Sequence, residues 1–211
     1  MLVDVLTLMT NLVLSWNDGR VLESQCRAYI PAPAFAEYEA TGYCEHLRAL
    51  GELPLAEVTP AGSRSFRLTI FPTWGNTTSV RVILSGSTAR FEGRRLQNQA
   101  GYELGPLIEI ASSIRPSQEL EPLIKSFADS AIGGMTERPP RSDRGGKDGS
   151  GWLLEFVEGG RWHAIGRWSP DFDTKRRGLS GFLEFCTLLY RLGPLRGDVL
   201  NKGTTTLSKE P

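Results

Sequence analysis

Cysteine and histidine are scarce in this chain of 211 residues, which has three of the first and two of the second. Cysteines at positions 26, 44 and 186 form neither an even disulfide set nor a ligand cluster, so a disulfide scaffold is not expected. Cys44 and His46 supply two neighbouring ligands where zinc needs four, or three and a water, so no metal site is expected. Net charge is missing too. With 24 basic and 24 acidic side chains the chain lacks the positive potential of a general nucleic-acid binder. No apolar run reaches the roughly twenty residues of a membrane span, and there is no internal repeat. What remains is ordinary globular composition, 40% apolar and 23% charged, enough for one domain with a real core.

Residues 1–16 are strongly apolar, but Asp4 and Asn11 interrupt them, no basic residue precedes Arg20, and no small-residue cleavage pattern follows. A secretory signal has the opposite features. The expectation is a cytoplasmic protein without a membrane span, the alternative being export if residues 1–15 act as an atypical signal. The sequon Asn76-Thr77-Thr78 matters only under that alternative.

Asn17-Asp18-Gly19 between apolar runs predicts an N-terminal hairpin arm over residues 1–30. Pro31 and Pro33 then open a helical stretch from Ala34 to about Leu50, which Gly42 divides if it breaks the helix. Between positions 30 and 63 five glutamates face a single arginine, Arg48; between 64 and 101 six arginines face only Glu92. An acidic helical segment therefore precedes a basic sheet. In that sheet Phe66, Leu68 and Ile70 alternate with Arg67 and Thr69, and Val80, Val82 and Leu84 alternate with Ser79 and Arg81. Period two predicts one buried face and one wet face, which places the arginines on the wet side. Strands are also predicted at 87–96, 102–114, 152–157 and 161–168.

Helices are predicted near 118–132, with Pro122 in the first turn, and at 179–192, where Leu179, Phe182, Leu183, Cys186, Leu189 and Tyr190 form an apolar stripe. Ser169-Pro170-Asp171 reads as a helix N-cap. Residues 133–150 form a long loop, and 197–211 a flexible polar tail. The fold class is α+β: one domain over residues 1–196, an antiparallel sheet of about five to seven strands packed on one face by two or three helices, the acidic helix beside it.

The string Asp148-Gly149, Trp152, Leu154-Glu155, Gly159-Gly160-Arg161-Trp162-His163, Arg167-Trp168-Ser169-Pro170, with Phe66–Thr69 upstream, resembles a family of bacterial proteins. The likeness spans residues 64–193; more usual members have Tyr where Trp162 stands. No activity is attached to that family, so the resemblance implies a fold and not a reaction.

A two-residue Gly159-Gly160 turn pairs Phe156 with His163 and Leu154 with Ile165. A one-residue bulge would instead set His163 opposite Glu155, a carboxylate–imidazole pair suited to acid/base work. The plainer reading packs His163 among aromatics. Other enzyme signatures fail. Gly178-Leu-Ser180-Gly181 is one residue short of a nucleophile elbow, and Arg144-Gly-Gly-Lys147-Asp148 lacks the hydroxyl residue of a phosphate loop. Cys44 and Cys186 fall on apolar helix faces, where a thiol is inert. No cofactor is expected. The leading expectation is a non-catalytic protein that binds a protein or small molecule through Trp74, Arg81, Arg161, Trp162, His163, Arg167 and Trp168, in an immunity-like or accessory role. The rival is a hydrolase using Glu155 and His163 with an arginine holding an anion.

Overall fold

A computed structural model describes residues 25–31, 34–98, 103–139 and 148–195. The N-terminal hairpin up to residue 24, the middle of the 133–150 loop and the C-terminal tail lie outside the described residues; residues 25–29, at the end of the expected hairpin arm, are helical instead.

Six strands form one antiparallel sheet: β1 (Arg64–Pro72), β2 (Thr78–Ser85), β3 (Thr88–Leu96), β4 (Leu107–Pro116), β5 (Ser150–Glu158) and β6 (Arg161–Trp168), in the spatial order β4-β3-β2-β1-β5-β6. Besides the helical residues 25–29, the described helices are α1 (Glu37–Ala49), α2 (Leu55–Val58), α3 (Glu121–Asp129) and α4 (Ser180–Leu192), with 3-10 turns at Ser117–Leu120 and Ala131–Gly134. Among the described residues no helix is long and apolar enough to cross a membrane.

The even positions of β1, β2 and β5 and the odd positions of β3 and β6 share the first face. Phe66, Leu68, Val80, Val82, Phe91, Leu154, Phe156 and Ile165 meet Leu123 and Phe127 of α3 and Phe182, Phe185, Cys186 and Leu189 of α4 in one core. Phe66, Phe127, Phe156 and Phe185 pack as a ring cluster with centroids 5.0 to 6.5 Å apart.

Along β1 and β5 the second face is not wet. The acidic helix α1 lies over it rather than beside the sheet, burying Leu47, Ile30 and Phe35 against Leu153 and Ala164. Here Gly166 is required, because a Cβ at that position would sit 2.8 Å from the Tyr43 hydroxyl and 2.9 Å from the Phe35 ring. Glu39 starts α1 by accepting the Ala36 N–H at 3.1 Å, and Gly42 does not break the helix. β1 is accordingly buried at six consecutive positions, Ser65 to Ile70. Alternation marked which residues share a face, but a second helical layer also covers the other face over β1, β5 and β6.

Three further expectations are corrected. Cys26 and Cys44 form a disulfide that ties residues 25–30 to α1, leaving Cys186 as the free, buried thiol. The fourth strand begins at Leu107 rather than 102, past a bulge at Arg95/Leu96. Ser169-Pro170-Asp171 does not start the final helix: Ser169, Asp173 and Gly178 have φ of 36°, 50° and 67°, and consecutive turns delay α4 to Ser180. Arg177 holds these turns by donating to the carbonyls of Trp168, Ser169 and Phe172.

Candidate functional site

The β5–β6 hairpin closes on Gly159 and Gly160, both at positive φ (58° and 74°), the geometry a two-residue turn needs to match strand twist. Its register pairs Phe156 with His163, Leu154 with Ile165 and Glu155 with Ala164. No bulge intervenes, so Glu155 and His163 project from opposite faces and the carboxylate–imidazole pair does not form. His163 is exposed and stacks on Phe156, with centroids 4.9 Å apart and planes 13° apart.

Glu155 instead belongs to a buried charge network between the second face and the segment joining α1 to α2. Arg67, fully buried, donates from Nε and Nη2 to the two Glu155 oxygens at 2.7 Å each. Its Nη1 donates to the Leu53 carbonyl at 2.6 Å and faces Glu52 at 3.4 Å. Glu52 also accepts Arg81 Nη1 at 2.8 Å and the Ser79 hydroxyl, with Arg94 Nε at 3.7 Å. Arg81 reaches on to Glu92, and Trp162 Nε1 donates to Glu155 at 3.2 Å. Burial alone would push the Glu52 carboxyl up; Arg67, Arg81, the Ser79 hydroxyl and Arg94 outweigh it and hold the group below the usual carboxylate range. For Arg67, burial opposes the charge and Glu155 overcomes that, so its guanidinium stays ionised. Three arginines are thus matched by three glutamates, with Arg67, Glu52 and Glu155 fully shielded from water and Arg94 and Glu92 at the partly exposed margin.

The expected binding residues are not brought into one patch. Arg81 is locked in the network and is 5% exposed. Arg167 is 4% exposed and donates to the carbonyls of Thr136, Glu137 and Gly166 at 3.0, 3.2 and 2.7 Å. Arg161, Trp162 and His163 lie beside the Gly159-Gly160 turn, where Trp162 is half-buried against the α1 layer. Trp74 and Trp168 lie at the other end of the sheet. β1 runs from Ser65 opposite Val157 to Pro72 opposite Ser150, about 23 Å of strand. At that end Trp74 is 68% exposed and Trp168 half-buried. Two backbone bonds bring their loops together: Thr73 N–H to Gly149 O at 2.8 Å, and Ser169 N–H to Ser150 O at 2.7 Å.

Phe172, which the sequence reading passed over, stands in the turns after β6 at 72% exposure. Its signal was an aromatic inside Asp171-Phe172-Asp173, a polar stretch unsuited to burying it. The other residue missed was Glu52, whose signal was the acidic segment set before a basic sheet. Among the described residues no group of three or more His, Cys, Asp and Glu side chains could hold a metal ion. Two surface depressions, around Gln118, Glu121 and Lys125 and around Glu37, Thr41 and Glu45, contain neither His nor Cys.

Comparison of the chain with models of protein families and with curated proteins yields no match.

Proposed function

We propose that this is a non-catalytic binding protein that engages a protein partner through the aromatic end of its sheet, with Trp74 and Phe172 as anchors and the half-buried Trp168 at the same end. One observation carries the reading: two of the largest apolar side chains of the chain stand exposed at the same end of the sheet, on loops held by backbone hydrogen bonds and by Arg177. Exposed, rigidly mounted aromatics are the usual energetic centres of protein interfaces. The charged groups that acid/base chemistry would need are consumed elsewhere, Glu155 by Arg67 and Trp162. The bacterial family resemblance remains part of the proposal, since it implies a fold and no reaction. The Cys26–Cys44 disulfide favours the exported alternative over the cytoplasmic one, because such bonds persist in oxidising compartments.

The test is affinity capture from the native host with the wild type and with Trp74→Ser/Phe172→Ser, followed by titration of each captured protein in purified form. A partner whose affinity falls at least about tenfold in the double variant supports the reading. Equal capture by both proteins overturns it.

A further inference from the structure

The sheet has two edges, and they are treated differently. On β6 the Gly166 N–H is taken by the Glu137 carbonyl at 2.8 Å, and Arg167 pins the same loop. Among the described residues, β4 has strand neighbours on one side only. Its second-face side chains Ile110 and Ile114 are 63% and 69% exposed, and neither Lys nor Pro interrupts it between Pro106 and Pro116. Natural edge strands usually carry such guards, because an open ladder pairs with any suitable strand.

The hydrogen-bonding direction of β4 follows from its register. Ser117 donates its N–H to Ser87 at 2.9 Å, and Thr88 sits opposite Pro116, which has no N–H to give. Alternation then aims the backbone groups of Glu109, Ala111, Ser113 and Arg115 at β3, and those of Ile110, Ser112 and Ile114 outward.

We propose that two copies of this chain dimerise by pairing their β4 strands antiparallel about a two-fold axis through Ser112, extending the sheet across both. The sequence of β4 is self-complementary in that register. Ser112 meets Ser112 of the second copy, Ile110 meets Ile114, and on the opposite face Arg115 joins Glu109, which is also ion-paired with Arg95 at 2.7 Å within its own chain. Every outward backbone group of Ile110, Ser112 and Ile114 gains a partner, and the four isoleucines form one apolar strip. Sliding one pair step in one direction sets Glu109 against Ser113; sliding in the other sets Ile110 against Pro116, which cannot donate. Opposite charges and matched β-branched residues directly across a ladder stabilise it, so the charge pattern selects the symmetric register. This surface is separate from Trp74 and Phe172.

Sedimentation velocity on the full chain over roughly a hundredfold concentration range tests this, with hydrogen exchange at the three outward amides. The wild type is expected to dimerise and to protect the amides of Ile110, Ser112 and Ile114. Ser112→Pro removes an outward N–H and leaves the β3 ladder its donors, so it should give a folded monomer. Ile110→Lys and Ile114→Lys alter only exposed side chains and should weaken the dimer at least about tenfold even if the proline variant misfolds. In mild oxidant Ser112→Cys should cross-link to a covalent dimer, and Ser113→Cys should not. A wild-type monomer at every concentration overturns the proposal, and protected amides in that monomer assign the edge to another segment of the same chain. A dimer unaffected by Ile110→Lys and Ile114→Lys overturns it as well.

Discussion

His46 shows how burial sets the behaviour of a single residue. Packed edge-on against Phe71 with centroids 4.7 Å apart, its ring has lost so much water that its pKa falls to about 4. The Thr77 hydroxyl, which accepts Asn98 Nδ2 at 2.9 Å, is hydrogen-bonded to His46 Nδ1 at 3.3 Å. The unfolded chain binds this proton near pH 6.5 and the folded chain only near pH 4, so acid favours unfolding. The stability held above pH 6.5 is lost progressively as pH falls to about 4, up to about 3 kcal/mol from this residue. His46→Phe should flatten that part of the curve of melting temperature against pH. An unchanged slope between pH 6.5 and 4 would mean that the ring is not shielded.

The coupling of elements rests on the charge network. Glu52 lies in the connection between α1 and α2, Arg67 on β1, Arg81 on β2 and Glu155 on β5, so four parts of the chain meet in one desolvated cluster. Removing one partner strands a buried charge, whereas removing a matched pair relieves the desolvation of both. Glu155→Leu should therefore destabilise by about 3–5 kcal/mol, and Arg67→Met/Glu155→Leu by clearly less, as read from urea unfolding of the two single variants and the double. Additive losses would argue that Arg67 and Glu155 act independently. This cluster was half legible. The opposite charges of the acidic segment and the basic sheet pointed toward each other in the sequence. Which glutamate would reach the sheet was not readable, because Glu37, Glu39, Glu45 and Glu57 look alike until the α1–α2 connection folds back over it.

At the scale of the whole molecule one sheet serves two layers, an apolar one under α3 and α4 and a mixed one under α1, so the layers share β1 and β5 and should unfold together. The disulfide closes a loop of 18 residues at the rim of the mixed layer. By loop-closure entropy it contributes about 3 kcal/mol, so Cys26→Ser, or reduction of the wild type, should lower the urea midpoint while keeping a single transition. Two separate transitions would instead show that the α1 layer is an independent folding unit.

The sequence by itself determined the local features of this protein. Period-two alternation placed Phe66, Leu68 and Ile70 on one face, the Gly159-Gly160 turn set the Phe156–His163 register, and the stripe from Leu179 to Tyr190 made a helix. These outcomes depend on neighbours within a few positions, where φ preferences and side-chain spacing suffice. Only the tertiary structure decided that the arginines of β1 and β2 are buried, that Cys26 meets Cys44, and that Arg67 claims both oxygens of Glu155. Each of these depends on what a distant segment lays over the sheet, and alternation specifies which side chains share a face without saying whether water or a second layer covers it.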